Sequence, residues 1–122
     1  MSASFKVTLK AVNNKSLVKS ITDYIEDGIK SLGVGWNNES HRSAFVQIIE
    51  EFLENLLETD EKIEQYKVMC DRRNNKIVDT ERSIYNIDIE FKQKHCLNKT
   101  KIHYFIRANN TAPTLGDPDF LI

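Results

Sequence analysis

The sequence predicts an α+β fold in which two helices pack on a small mixed or antiparallel sheet, with the elements in the order β-α-α-β-β-β. Four segments, one near the start and three in the second half, alternate apolar and polar residues, as half-buried strands do. Between them, two segments repeat apolar residues every three or four positions, as amphipathic helices do. The length of 122 residues and the hydrophobic content of 40% suit one compact domain.

The first strand and the first helix are predicted within residues 4–33. Residues 4–11 alternate, and the apolar side of this strand carries Phe5, Val7, Leu9 and Ala11. Ser16 is the expected N-cap of a helix that continues to about Ser31. The apolar face of this helix is expected to carry Val18, Ile21, Ile25, Ile29 and Leu32. Gly33 follows, and a glycine suits the positive φ that often ends a helix.

The second helix has the widest apolar stripe in the chain, and Asn38 or Ser40 can cap its N-terminus. The apolar residues of the stripe are Phe45, Ile48, Ile49, Phe52, Leu53, Leu56 and Leu57. The residues expected on the opposite, solvated side are Arg42, Gln47, Glu50, Glu51 and Glu54. This helix is therefore expected to form the centre of the core.

Three more strands are predicted at residues 65–71, 84–91 and 101–107. Their inward side chains are expected to be Tyr66, Val68, Cys70, Ile87, Ile89, Phe91, Ile102, Tyr104 and Ile106. From Ala108 the chain becomes rich in asparagine, proline and glycine. We therefore expect the domain to span residues 1–107 and residues 108–122 to form an extended C-terminal arm.

The composition excludes several classes of protein. Lysine and arginine number 17 against 18 acidic residues, a formal charge of −1, which argues against a protein that coats duplex DNA. Two cysteines imply no disulfide framework. The first ten residues lack the apolar stretch of a secretory signal, and no apolar run is long enough to span a membrane.

The sequence offers little for catalysis or for binding a cofactor. It contains no Gly-x-Ser-x-Gly elbow and no glycine-rich phosphate loop. His95, Cys96 and His103 lack the second spaced pair that a structural zinc site needs. Cys70 alternates with Val68, so a small buried hydrophobe is a better interpretation than a nucleophile. We expect no enzyme, no cofactor and no metal.

Opposite charges are concentrated in two stretches. Residues 50–64 contain seven acidic residues and one lysine. Residues 92–107 contain five bases and no acid, and these form a predicted basic edge of Lys92, Lys94, Lys99, Lys101 and Arg107. Such a subunit can place its basic edge against the acidic stretch of another copy. Two alternative interpretations stay open. The charged stretches can be solvated faces without a partner, or the chain can be a small nucleic-acid-binding or regulatory protein that uses the basic edge.

The segment from Tyr66 to Asn75 resembles a signature of contractile phage tail sheath proteins. The C-terminal domain of that family carries a Tyr-x-Val-x-Cys-Asp-x-x-Asn-Asn strand and turn, and this chain reads Tyr66-Lys67-Val68-Met69-Cys70-Asp71-Arg72-Arg73-Asn74-Asn75. The preceding helix and the two following strands extend the resemblance over about residues 36–107. It implies that Asp71, Asn74 and Asn75 fix the turn by hydrogen bonds from side chain to backbone.

The resemblance also implies a mechanical role in a virion tail, after assembly in the host cytoplasm. Sheath subunits stack as rings or helical arrays around an inner tube, and exchanged terminal strands tie neighbours together. The expected linking segments are residues 4–10 and 113–122, which carry Phe5, Val7, Leu9, Phe120, Leu121 and Ile122. The apolar end of the arm can be buried on a neighbour or fold back on its own domain. The expected partners are other copies and tail-tube or baseplate proteins, and the chain can be a main sheath, a cap or a baseplate component.

Overall fold

The computed structural model of the protein describes residues 2–12, 14–33, 37–58, 62–77 and 84–109. Its elements are β1 (Ser2–Lys10), α1 (Lys15–Leu32), α2 (Glu39–Glu58), β2 (Ile63–Met69), β3 (Ile84–Gln93) and β4 (Thr100–Asn109). The predicted α+β class and the order β-α-α-β-β-β are confirmed.

The four strands form one sheet in the order β1-β4-β3-β2, and all neighbouring strands are antiparallel. Tyr104 of β4 pairs with Val7 on one side and with Ile87 on the other. The first and last strands of the chain are therefore adjacent, and β1 and β2 are the two edges of the described sheet. A register shift around Glu64 interrupts the pairing of β2 with β3.

Both helices cover the same face of the sheet and enclose the core. The helical side chains in the core are Leu17, Val18, Ile21, Ile25, Ile29, Phe45, Ile49, Leu53 and Leu56. The facing strand side chains are Ile63, Tyr85, Ile87, Ile89, Phe91, Ile102, Tyr104 and Ile106. Each such side chain stabilises the fold by about 1.5–3 kcal/mol before the entropic cost of ordering it. The other face of the sheet carries the polar half of each alternation.

Helix α1 begins two residues earlier than predicted, and its N-cap is Asn14 rather than Ser16. The side chain of Asn14 accepts a hydrogen bond from the backbone N–H of Leu17 at 3.0 Å. Gly33 ends the helix with the expected positive φ, 84°, and its N–H donates to the carbonyls of Ile29 and Lys30. Leu32 is 51% exposed, so the last residue of the predicted apolar face lies outside the core.

Helix α2 contains one residue that the sequence placed on the wrong side. Asn38 is its N-cap, since its side chain accepts from the N–H of His41 at 2.9 Å. Arg42, expected in solvent, is only 5% exposed. It lies three residues before Phe45 and seven before Ile49, so helical geometry places it in the apolar stripe in spite of its charge.

All four strands have boundaries that differ from the prediction. Strand β1 spans Ser2–Lys10 instead of residues 4–11, and Ala11, with a φ of 57°, lies outside the strand and is exposed. Strand β2 spans Ile63–Met69 instead of residues 65–71, because the chain turns at Asp71. Strand β3 continues two residues further, to Gln93. Strand β4 continues to Asn109, because β1 begins at Ser2 and pairs with that residue. The first two residues of the predicted arm therefore belong to the sheet, and residues 110–122 with Phe120, Leu121 and Ile122 lie outside the described residues.

Candidate functional site

The turn after β2 is held by the three side chains of the sheath-like signature. The backbone N–H of Asp71 donates to Asn74 Oδ1 at 3.0 Å, and Asp71 Oδ1 accepts from the N–H of Arg73 at 2.9 Å. The side-chain amide of Asn74 donates to the carbonyl of Met69 at 2.9 Å and to Asp88 Oδ2 at 2.8 Å. These bonds tie the turn to the end of β2 and to β3. The Arg73 side chain also lowers the pKa of Asp71 by donating to its carboxylate.

Asn75 lies at the centre of a buried polar network, which we call the asparagine network. Its side-chain amide donates to the carbonyls of Asp71 and Asn86 at 3.1 and 3.0 Å, and its Oδ1 accepts from the N–H of Asn86 at 2.8 Å. Asn37 donates to Asn75 Oδ1 at 3.1 Å and to the carbonyl of Ile84. Near the start of β3, the side-chain amide of Asn75 therefore takes the place of a neighbouring strand, because it bonds both the N–H and the C=O of Asn86.

Arg42 and Cys70 complete the asparagine network. Arg42 Nη1 donates to Asn37 Oδ1 at 2.6 Å, so the start of α2 is joined to the turn through Asn37. Cys70 is buried, its Sγ accepts from the side-chain amide of Asn75 at 3.8 Å, and burial raises the pKa of its thiol to about 12. A thiol with so little thiolate is a poor nucleophile, which supports the interpretation of Cys70 as a structural residue.

Of the five bases predicted as a basic edge, Lys92, Lys101 and Arg107 lie on the inner strands β3 and β4, and Lys94 and Lys99 lie in the connection between these strands. Three of the bases pair with carboxylates, as Lys92 lies 2.5 Å from Glu64, and Lys99 and Lys101 lie 3.6 and 3.7 Å from Glu90. Arg107 lies six residues beyond Lys101, about 20 Å along the strand. The group is a partly neutralised band rather than a continuous cationic surface.

The sheet face opposite the helices nevertheless carries excess positive charge. In β4 the buried residues alternate with Lys101, His103, Phe105 and Arg107, which therefore share this outer face. Lysines from both edge strands lie on the same face, whereas its acidic residues in β3 are Asp88 and Glu90. The exposed flank of α2 carries Glu51 and Glu58. The basic excess thus lies on the outer sheet face, and these acidic residues lie on α2 beside the edge strand β2.

A groove of about 750 Å³, which we call the α2/β2 groove, runs between α2 and the edge strand β2. Its apolar lining is formed by Val46, Tyr66 and Val68, and acidic side chains of α2 line it as well. The Tyr66 hydroxyl donates to Glu54 Oε2 at 2.5 Å, and this bond raises the pKa of Tyr66 to about 12. The sequence showed the acidic flank and the apolar alternation separately. Only the packing of α2 on β2 brings them together.

The residues considered for a metal site have other partners. Cys96 Sγ contacts Gln93 Oε1 at 3.6 Å, and His103 Nδ1 lies 2.7 Å from Asp88 Oδ1. Within the described ranges no group of three or more histidine, cysteine or acidic side chains is arranged to hold a metal ion. Neither described helix has the length and apolarity to cross a bilayer.

The comparisons with known proteins gave no relative. No protein-family model, no curated protein and no solved structure matches the chain. The resemblance to tail sheath proteins therefore stays a prediction, and it rests on residues 66–75 and their neighbourhood. The roles of Phe5, Val7 and Leu9 as linking residues likewise stay predictions, since β1 pairs with β4 of its own chain.

Proposed function

We propose that this chain is a structural subunit of a contractile phage-type tail, a sheath or a sheath-like tail or baseplate component. It assembles with other copies around an inner tube through strand exchange. The observation that carries the proposal is the α2/β2 groove, because Val46, Tyr66 and Val68 give it an apolar part and it lies beside a strand that ends the described sheet. The sheath-like signature of residues 66–75 supports the choice of family.

Addition of a strand at β2 accounts for the shape of the α2/β2 groove. An edge strand leaves half of its backbone N–H and C=O groups without a partner strand, and an incoming strand can pair with them. Alternate side chains of that strand would point under α2, onto Tyr66 and Val68. Residues 113–122 of a neighbouring copy supply either Leu121 or the pair Phe120 and Ile122 for this purpose, because adjacent residues of a strand point to opposite faces. Each contributes about 1.5–3 kcal/mol on burial, less the cost of ordering the segment.

Strand β1 can link subunits by another route. Phe5 packs edge-on against Tyr104, with 6.4 Å between ring centroids, and Val7 packs against the core. Leu9 is largely exposed. The β1 strand of a neighbour could form the same pairing with β4, because residues 11–14 separate β1 from α1. Such an exchange replaces contacts within one chain by the same contacts between two chains. Its cost is therefore mainly the opening of the hinge at residues 11–14.

The charge distribution favours stacking of copies in one direction. The outer sheet face is basic, and the exposed flank of α2 is acidic and lies beside the edge strand β2. A basic face on one copy can therefore meet an acidic flank on the next, and repetition of this contact gives rings or helical arrays. The near-zero total charge of −1 limits the repulsion that accumulates in a dense array.

Electron microscopy and sedimentation velocity test the proposal over a range of protein concentrations. We expect the full chain to form rings or tubes and a chain without residues 113–122 to remain small. Val68→Lys should also block assembly, because it places a charge in the α2/β2 groove. The matched control, Ile77→Lys, changes an exposed residue outside the groove and should assemble normally. A full chain that stays monomeric at every concentration would contradict the proposal.

The alternative, a nucleic-acid-binding protein, remains a weaker proposal. Its basic residues are partly neutralised by Glu64 and Glu90. Such a protein should stay small and bind RNA or single-stranded DNA with an affinity that falls steeply as salt rises. Replacement of Lys99 and Lys101 by glutamate should then abolish binding.

A further inference from the structure

A second cavity, of about 640 Å³, lies at the N-terminus of α2 and adjoins the α2/β2 groove. We call it the Arg42 cavity. Its lining includes three arginines, Arg42, Arg72 and Arg73, and two acids, Glu39 and Asp71. The α2/β2 groove and the Arg42 cavity share Ser43, Cys70 and Asp71 in their linings. A peptide in the α2/β2 groove can therefore continue into the Arg42 cavity.

The guanidinium of Arg42 has too few partners for a buried charge. It has five N–H donors, yet among the described residues its one hydrogen bond goes to the neutral side chain of Asn37. No carboxylate of the described residues lies within 4.0 Å of it. A charge that is 95% removed from solvent is costly unless an opposite charge or a full set of hydrogen bonds compensates it.

The neighbouring acid does not supply that compensation. Asp71 uses both carboxylate oxygens on Arg73, at 2.6 and 3.0 Å. The only fully buried side-chain nitrogen or oxygen of the described residues without a partner is Gln93 Nε2. The unbonded nitrogens of Arg42 therefore keep access to the Arg42 cavity. The first turn of α2 adds partial positive charge at the same place.

We propose that the Arg42 cavity binds the carboxylate of Asp119 or Asp117 from residues 113–122 of a neighbouring copy. This inference rests on the proposed function, in which that segment enters the α2/β2 groove. Residues 108–122 contain these two acids and no base. A carboxylate matches the planar fork of a guanidinium, which can donate two parallel hydrogen bonds to it.

The position of Asp119 in the sequence fits both cavities. It lies two residues before Leu121, so in one extended segment both side chains point to the same face and can place Leu121 in the α2/β2 groove and the carboxylate in the Arg42 cavity. Apolar contacts alone allow such a strand to slip along the edge of β2. A single charge pair at one end fixes its register. Arg42 then acts as a positioning residue for the linking strand.

Residues 113–122 of the same chain are the competing occupant of the Arg42 cavity. Strand β4 ends beside β3, where Arg107 pairs with Ile84, and the carbonyl of Ile84 accepts from Asn37. The chain therefore leaves the sheet at the end where Asn37 holds Arg42. Any experiment must distinguish a segment from the same copy from a segment of a neighbour.

Photo-crosslinking in the full chain makes this distinction. A benzoylphenylalanine is placed at position 43, on the boundary between the α2/β2 groove and the Arg42 cavity, in an equal mixture of ¹⁴N and ¹⁵N chains. We expect crosslinks to peptides within residues 113–122, with mixed light–heavy pairs. The double variant Asp117→Asn/Asp119→Asn should reduce their yield by about tenfold or more, as expected for loss of a charged hydrogen bond. Thr114→Val is the matched control in the same segment and should leave the yield unchanged.

A second variant tests the geometry of the guanidinium. Arg42→Lys keeps the charge and loses the fork, so it should reduce the crosslink yield while circular dichroism reports a folded protein. Should this variant fail to fold, the Asp117→Asn/Asp119→Asn chain still decides the question, because its substitutions lie outside the described domain.

Several results would overturn the inference. Crosslinks confined to light–light and heavy–heavy pairs would assign the Arg42 cavity to the segment of the same copy. Unchanged crosslinking in the double aspartate variant would exclude a carboxylate anchor. If no crosslinks form and inorganic phosphate shifts the Arg42 Nε–H signal in NMR spectra, the Arg42 cavity binds a free anion instead. Rings or tubes that form without the crosslink refute this inference alone, whereas a monomeric wild-type chain refutes the proposed function.

Discussion

The asparagine network and the outer sheet face place polar side chains in opposite surroundings. Asn37 and Asn75 are 1% and 0% exposed, and each makes several hydrogen bonds. On the outer sheet face, the side chains of Glu90 and Lys101 are 29% and 57% exposed, and their charged atoms lie 3.7 Å apart. The first region joins segments that are distant in sequence. The second joins neighbouring strands that the sheet already holds together.

The difference indicates where polar groups stabilise this protein. Loss of a buried hydrogen-bonding partner leaves desolvated groups unsatisfied, at about 1–3 kcal/mol each. An exposed ion pair contributes about 0–1 kcal/mol, because water screens it and long side chains must be ordered. The asparagine network therefore fixes the fold at one end of the sheet. The outer sheet face can change its charges with little effect on folding, which leaves it available for contacts between copies.

The largest expected difference between a buried and an exposed part of the molecule is in thiol reactivity. Cys70 belongs to the asparagine network, and burial raises its pKa to about 12. Cys96 lies in the connection after β3 and is partly exposed. We expect an aromatic disulfide reagent at neutral pH to modify Cys96 at least about 100-fold faster than Cys70, because the thiolate is the reactive form.

Each of the single variants Cys96→Ser and Cys70→Ser keeps one cysteine, so its rate of modification is that of the remaining thiol. In urea above the unfolding transition, the two rates should converge. Equal rates in the folded protein would show that the asparagine network opens readily, and the comparison of the two regions would fail.

Asn75→Ala should cause the largest loss of stability among changes of polar residues. It leaves the buried backbone N–H of Asn86 without its acceptor and removes one of the donors to the carbonyls of Asn86 and Asp71. We expect the free energy of unfolding to fall by about 3 kcal/mol, measured by urea denaturation. Asn55→Ala, on the exposed side of α2, is the matched control and should change stability by less than about 0.5 kcal/mol.

The sequence was sufficient to predict the fold because its patterns are local. The apolar stripe of α2 and the alternation of β4 each lie within one segment, and burial of Phe45 and Tyr104 follows from them. The helix and strand ends were less accurate, since the N-cap at Asn14 and the end of β4 depend on single hydrogen bonds and on pairing with β1.

The candidate site was predicted only in part. The turn residues Asp71, Asn74 and Asn75 are adjacent in sequence, so their local hydrogen bonds follow from known turn chemistry. Asn37 is 38 residues from Asn75, and no pattern in the sequence pairs them. The α2/β2 groove depends on which strand ends the sheet, and the strand order β1-β4-β3-β2 follows from tertiary packing rather than from the periodicity of any segment.

Acid should weaken the turn before it weakens the core. Hydrogen bonds from Arg73 lower the pKa of Asp71 in the folded protein below its unfolded value, about 3.9. The carboxylate therefore stabilises the fold above about pH 4, and this contribution is lost as the pH falls through the lowered pKa. We expect Asp71→Asn to be less stable than wild type at pH 7 and the difference to shrink toward pH 3. Urea denaturation across this range measures it, and a difference that is independent of pH would contradict the assignment.

Glu90→Gln should have the smallest effect. It removes the carboxylate near Lys99 and Lys101, whose charged atoms lie 3.6 and 3.7 Å away at half-exposed positions. We expect a loss of less than about 0.5 kcal/mol in urea denaturation, falling further as salt is added. The same change exposes two positive charges on the outer sheet face, so it should alter the salt dependence of assembly much more than it alters folding. A loss of stability as large as that of Asn75→Ala would mean that the outer sheet face helps to hold the domain together, and the contrast between the two regions would then be wrong.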